Sequence, residues 1–361
     1  MTVAPEIDAE VAATETDAAA ATMSRSTKSE RQPEEKTHAN SSNSAIVSEA
    51  KKPRSGDYEE VNPGRYRSAF MFHWSHMCDF EDVTSRGPMS HTEIDKPYDA
   101  TMLPCLEIYS WKVTELRGGL RWPLDVFGFV ALRDSLDHKR NFIFNRARDD
   151  PQRLTATDSS LELTGPVRAV QLCMGIEAEF ELRVRGETPS EDRILSIDFW
   201  AYDPVRKSHK RGASRTSAMD TKFSTMVFTF SHLAKAVEAT IQVKIVQGSW
   251  NFSGRFVAQM GSIDEEVVLI DTMGRPVPVK GDGVVQLCRR VVVVDGGGVL
   301  QLRVKASSGQ FLSEGCDNNV FNVSATELQF TAKGAGTSSG MLDIGFAKMS
   351  VTVFWSLLPM V

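Results

Sequence analysis

From Leu106 onward apolar residues recur at every second position, and that period constrains most strongly what the chain can fold into. Ala178, Phe180, Leu182 and Val184 alternate with Glu177, Glu179, Glu181 and Arg183. Successive side chains of a strand point to opposite faces, so the pattern predicts a strand with one buried and one wet face. The alternation returns at Ile241/Val243/Ile245, Leu300/Leu302/Val304, Leu328/Phe330 and Val351/Val353/Trp355. Short apolar runs at 267–270 and 291–294 fit strands covered on both faces. Turn signals fall between them, at Gly118-Gly119, Gly165-Pro166, Gly281 to Gly283 and 296–298. About a dozen short strands without βαβ alternation predict an all-β fold, an antiparallel β-sandwich. Two stretches read as helical: a short amphipathic helix over 66–80, ahead of the sheet, and a turn or two over 231–238.

Residues 1–60 hold 12 acidic and 7 basic side chains, with no Phe, Trp or Tyr before Tyr58. Such a segment buries too little apolar area to offset its ordering entropy, so 1–62 is expected to be a disordered tail. Residues 63–103 then form a linker carrying the helix, and 104–361 the β domain. The tail takes most of the net charge of −6, which leaves the domain without a global field for nucleic acid. No apolar run approaches about 18 residues, so no membrane span is expected. The first residues lack a basic start and an apolar core, so no signal peptide is read. Five cysteines without a Cys-x-x-Cys pair suggest neither a disulfide framework nor a zinc ribbon. The expected location is the cytoplasm. Lys51-Lys52-Pro53-Arg54 could act as a weak nuclear-import patch, though a solvated linker end is the simpler reading.

Four segments carry a family likeness: 106–134 (LEIYSWKVTELRGGLRWPLDVFGFVALRD), 158–170 (DSSLELTGPVRAV), 262–271 (SIDEEVVLID) and 354–358 (FWSLL). In this order they resemble an uncharacterised domain family abundant in grasses. That family is itself similar to the C-terminal region of jasmonate-induced ribosome-inactivating proteins. The resemblance runs from about Tyr66 to the C-terminus. It implies a plant protein with a stand-alone copy of the domain. It brings no agreed activity, so no catalytic residue and no cofactor are carried over.

The toxin chemistry of those relatives needs a Glu and an Arg one helical turn apart, and no Glu here is followed at i+3 by Arg. Gly296 to Gly298 and Gly334-Ala335-Gly336 lack the lysine of a phosphate loop and read as hairpin turns. His73, His76, Cys78 and His91 are chemically adequate zinc ligands. Their spacing matches no zinc site, and Phe70, Phe72, Trp74, Met77 and Phe80 make the same segment a packing anchor. Asp134/Asp137, Asp149/Asp150 and Asp198/Asp203 serve calcium only if they converge in space, and turn geometry already explains them. Arg206, Lys207, Lys210, Arg211 and Arg215 form the most basic stretch, read as a long loop between strands ending near Tyr202 and starting near Lys222. Five cations suit the phosphates of RNA or anionic lipid, with Trp200 and Tyr202 close in sequence, while a solvated connector is the simpler reading. The six Trp read as core rather than as a ring sandwich for a methylated guanine. The functional expectation is a non-catalytic interaction module for a protein or RNA partner, with no cofactor and an open oligomeric state. Its alternatives are an enzyme of unrecognised type and a calcium- or lipid-binding β-sandwich.

Overall fold

The computed structural model describes residues 63–93, 99–204, 212–308 and 322–360. The expected disordered tail lies outside the described residues. A single α-helix, α1 (Pro63–Trp74), comes first among them. Six strands follow: β1 (Ala100–Thr101), β2 (Leu103–Leu116), β3 (Leu124–Arg133), β4 (Asn141–Arg146), β5 (Gln152–Leu154) and β6 (Val170–Gln171). The middle of the chain forms β7 (Ile176–Val184), β8 (Arg193–Tyr202), β9 (Ser214–Asp220), β10 (Ser224–Gly248), β11 (Ser253–Met260) and β12 (Glu266–Asp271). The last third forms β13 (Val291–Asp295), β14 (Val299–Ser308), β15 (Asn322–Thr331), β16 (Gly336–Asp343), β17 (Ala347–Ser356) and β18 (Leu358–Pro359). The strands pair antiparallel, as the alternation predicts, and the described residues contain eighteen of them rather than about a dozen.

Three larger sheets result. The central one runs β16-β17-β10-β2-β6, with β13 and β9 also paired to β10. A second runs β4-β3-β7-β8 with β5 on β3, and a third runs β12-β11-β14-β15. β10 organises them. The first half of its 25 residues pairs with β2 and β9, the second half with β13 and β17. Met226, Phe228 and Phe230 join one apolar core with Val130 of β3, Phe180 of β7 and Trp200 of β8. Val237, Ile241 and Val243 join another with Phe256 of β11, Leu302 of β14 and Trp355 of β17. In β2 the division falls between neighbours: Leu106 and Ile108 enter the first core, Cys105 and Tyr109 the second. Alternate residues of a strand face opposite ways, so the two cores lie on opposite faces of the central sheet.

That overlap overturns the helical reading of 231–238, which is the middle of β10. Where one core hands over to the other, both faces are covered except around Ala234 and Lys235. Buried residues then run consecutively, and the period of two disappears. The stretch before Lys222 is also shorter as a loop than expected, because β9 occupies 214–220 and pairs with β10. Its polar alternation, exposed and half-exposed residues in turn, carries no apolar signal. The glycines at 296–298 and 334–336 do not close hairpins. They carry the chain from the central sheet to the third and back, between β13 and β14 and between β15 and β16.

α1 sits where the sequence expects a helix but ends sooner, in a turn where the Trp74 carbonyl accepts the N–H groups of Met77 (2.8 Å) and Cys78 (3.1 Å). Tyr66 and Phe70, one turn apart, are buried with Cys78 and Phe80 in a small third cluster that Phe199 also touches. Phe72 and Met77 stay exposed, so the anchor is narrower than the sequence suggests.

Candidate functional site

The face of β7 expected to be wet is not uniformly so. Glu177, Glu179 and Glu181 point outward as predicted, but α1 and the turn after it cover part of that face, and Glu179 is only 7% exposed. Its carboxylate accepts two hydrogen bonds from Arg140, at 2.6 and 3.0 Å, and two from Arg133, at 2.7 and 3.2 Å. Arg133 also donates to the carbonyls of Phe80 (2.6 Å) and His138 (2.9 Å), fastening the segment after α1 to the sheet. Tyr66 donates to Glu177 at 2.8 Å, and burial, followed by that carboxylate, raises its phenol pKa. Aromatic faces fill the remaining space. Tyr66 stacks on Phe199 with ring centres 4.5 Å apart and meets Phe80 edge-on at 5.6 Å. The Arg140 guanidinium lies 4.7 Å from the Phe129 ring centre and 5.1 Å from that of Phe80.

Between α1 and the second sheet these groups leave a cleft of about 380 Å³, lined by the rings of Tyr66, Phe80, Phe129 and Phe199. Its size is in the range of small-group binding sites, about 300 Å³ and upward. Arg67 pairs with Glu81 at the rim, and Arg140 with Glu179 on the wall. Both guanidiniums are thus engaged by carboxylates, Arg140 sharing Glu179 with Arg133, and the rest of the lining is largely aromatic. Beside the cleft, Trp74 stacks on His138 at 3.5 Å, and burial pushes the His138 pKa down. Asp198, on the cleft lining, has its pKa raised by burial.

The other buried ionic groups are equally committed. Arg168 holds Asp134 bidentately, at 2.6 and 3.0 Å, and reaches Asp137 at 3.0 Å. Thr84 donates to Asp137 at 2.5 Å. Glu107 accepts from Arg289 and from the Val293 N–H (2.7 Å), joining β2 to β13. Glu238 accepts the N–H groups of Met89 (2.7 Å) and Ala169 (2.8 Å). Burial raises the pKa of both Glu107 and Glu238. Each cluster pins a loop to a strand.

His73 and His76 are exposed on α1 and the turn after it, Cys78 is buried, and His91 contributes its backbone N–H to Ser356. Among the described residues no three His, Cys, Asp or Glu side chains converge as metal ligands. Of the calcium candidates, Asp134 and Asp137 are the partners of Arg168, and Asp150 pairs with Arg146 at 2.9 Å. Arg206, Lys207, Lys210 and Arg211 lie outside the described residues. Arg215 is half-buried in β9, opposite Phe230. Trp200 and Tyr202 are buried in the first core, which leaves neither ring to stack on a base. Sequence reasoning singled out Phe80 but missed Tyr66, Phe129, Phe199, Arg140 and Glu179. The signal available was aromatic residues at outward positions: Phe129 pairs with Glu181, and Phe199 with Glu179.

Residues 105–353 match a family described as Domain of unknown function (DUF6598). The chain belongs to the DUF6598 family. Its matched span opens in β2 and closes in β17, so it takes in all three sheets, while α1 precedes it. No curated protein matches this DUF6598 chain. Among solved structures it is similar to human GIVD cytosolic phospholipase A2, at 10% identity and a TM-score of 0.26. The same enzyme in complex with methyl gamma-linolenyl fluorophosphonate gives 8% identity and a TM-score of 0.24. These alignments cover 72% and 73% of this chain but only 33% of the phospholipase, and at such scores no shared fold follows. Among the described residues no helix is long and apolar enough to cross a membrane.

Proposed function

We propose that this DUF6598 chain is a non-catalytic interaction module whose recognition site is the cleft between α1 and the second sheet. Its occupant is an aromatic side chain of a protein partner. One observation carries the reading: the cleft is walled by four aromatic rings, and both guanidiniums among them are already hydrogen-bonded to carboxylates, Arg67 to Glu81 and Arg140 to Glu179. An aromatic anchor seated in a preformed pocket is the usual energetic centre of a protein interface. The basic stretch Arg206, Lys207, Lys210, Arg211 and Arg215 is the second contact, used where the partner is anionic. A plant setting, linked to stress or translation, rests on the sequence resemblance to the C-terminal region of jasmonate-induced ribosome-inactivating proteins.

Selection from a random peptide library tests the reading. Enriched peptides are expected to carry a Trp, Tyr or Phe, and to lose binding to Phe199→Ala and Phe129→Ser while keeping it to Lys305→Gln on the third sheet. Peptides that bind the two cleft variants as well as the native protein would show that the cleft is not the site.

A further inference from the structure

A second cavity, independent of that cleft, lies against the other half of β10. Thr240 and Gln242 alternate with Ala239, Ile241 and Val243, so they face away from the second core. With the loop after Val279 they line a half-open cavity of about 440 Å³. The loop is tied to β10 at both ends. Ile245 donates to the Gly283 carbonyl (2.8 Å), Val285 to that of Val243 (2.9 Å), and Ile241 to that of Arg290 (2.8 Å). Between those ties residues 286–289 bow away, and Arg289 leaves to join Glu107 in the interior. The cavity wall is therefore pinned rather than loose, which lowers the ordering cost of binding.

The chemistry of the lining is one-sided. Lys280 and Arg290 both belong to it, and no carboxylate does. Glu238, on the same face of β10, is 3% exposed and already accepts the N–H groups of Met89 and Ala169. Thr240 is 3% exposed, and its Oγ1 is buried without a hydrogen-bond partner. That hydroxyl presents no surface to the cavity, so the donors a ligand reaches are the exposed side chains of Lys280, Gln242, Gln286 and Arg290. Gln242 and Gln286 add amide donors, while Met89, Leu287 and Phe354 supply apolar surface.

We propose that this cavity binds a small organic oxyanion, a phosphate monoester or carboxylate carried on an apolar body about the size of one ring. Lys280 and Arg290 grip the oxyanion through charge-assisted hydrogen bonds. The Gln242 and Gln286 amides complete its donor shell, and Met89, Leu287 and Phe354 cover the body.

Calorimetric titration of the full chain with phenyl phosphate, phenylacetate and the neutral benzyl alcohol tests this. Saturable binding of phenyl phosphate, phenylacetate or both, with at least tenfold weaker binding of benzyl alcohol, is the expected result. The arm that binds identifies the oxyanion. Lys280→Gln/Arg290→Gln should weaken that binding by about tenfold or more, and Gln242→Ala by about fivefold, each hydrogen-bond loss being of order 1 kcal/mol or more. Lys305→Gln, a charge change on another sheet, should leave affinity unchanged. Melting temperatures of the variants are measured alongside, and both cations are exposed, so folding should be intact. Absence of saturable binding by either anion, equal binding of benzyl alcohol, or undiminished affinity in the double variant would overturn the assignment.

Discussion

Glu179 is the residue on which the cleft wall depends, because one carboxylate serves two guanidiniums, and Arg133 is 2% exposed. Glu179→Gln keeps the shape but leaves a buried cation without its counter-charge. Breaking a buried pair in this way costs about 3–5 kcal/mol. Urea denaturation should show that loss, whereas Arg153→Gln, at the exposed Arg153–Asp125 pair, should change stability by less than about 1 kcal/mol. His138 gives a pH signature. Burial lowers its folded pKa, so between that value and its unfolded pKa of about 6.5 the unfolded chain binds more protons. Stability contributed by neutral His138 is present above the unfolded pKa and is lost as pH falls toward the folded one. His138 has a positive φ of 54°, a conformation that Asn tolerates. His138→Asn should therefore fold and show a shallower loss of stability between about pH 7 and 5. An unchanged slope in urea midpoints measured across that range would contradict the assignment.

At the scale of elements, β10 is shared by both cores, so neither can lose it without exposing the other. One calorimetric transition, with equal van't Hoff and calorimetric enthalpies, is expected. Two resolved transitions would mean that the cores unfold separately. The same strand marks the limit of what the sequence discloses. Where one face is buried and the other wet, as at Ala178, Phe180 and Leu182, alternation identified the strand and its inward side. Where two cores overlap, at 231–238, all but Ala234 and Lys235 are buried and the period vanishes. β9 was missed for the opposite reason, since its edge position buries too little to leave an apolar pattern. The α1 anchor was visible through Phe70 and Phe80, though not through Tyr66. The cleft was not, because it exists only when Phe129 and Phe199, seventy residues apart, are brought to one face by the pairing of β3, β7 and β8. Arg140 and Glu179 read as ordinary surface charges until α1 covers them.

For the whole molecule, two apolar cores on opposite faces of one sheet make a rigid frame, and its buried charges are spent on fastening loops to strands. The recognition site proposed above lies at the edge of that frame, beneath α1. Hydrogen–deuterium exchange on the full chain, with and without an aromatic peptide obtained by selection, tests this most directly. Protection is expected to concentrate in 64–81, 127–131 and 195–200, the segments that build the cleft, with little change in β11, β14 and β15. Protection confined to the third sheet, or spread evenly over the chain, would contradict the placement of the recognition site beneath α1.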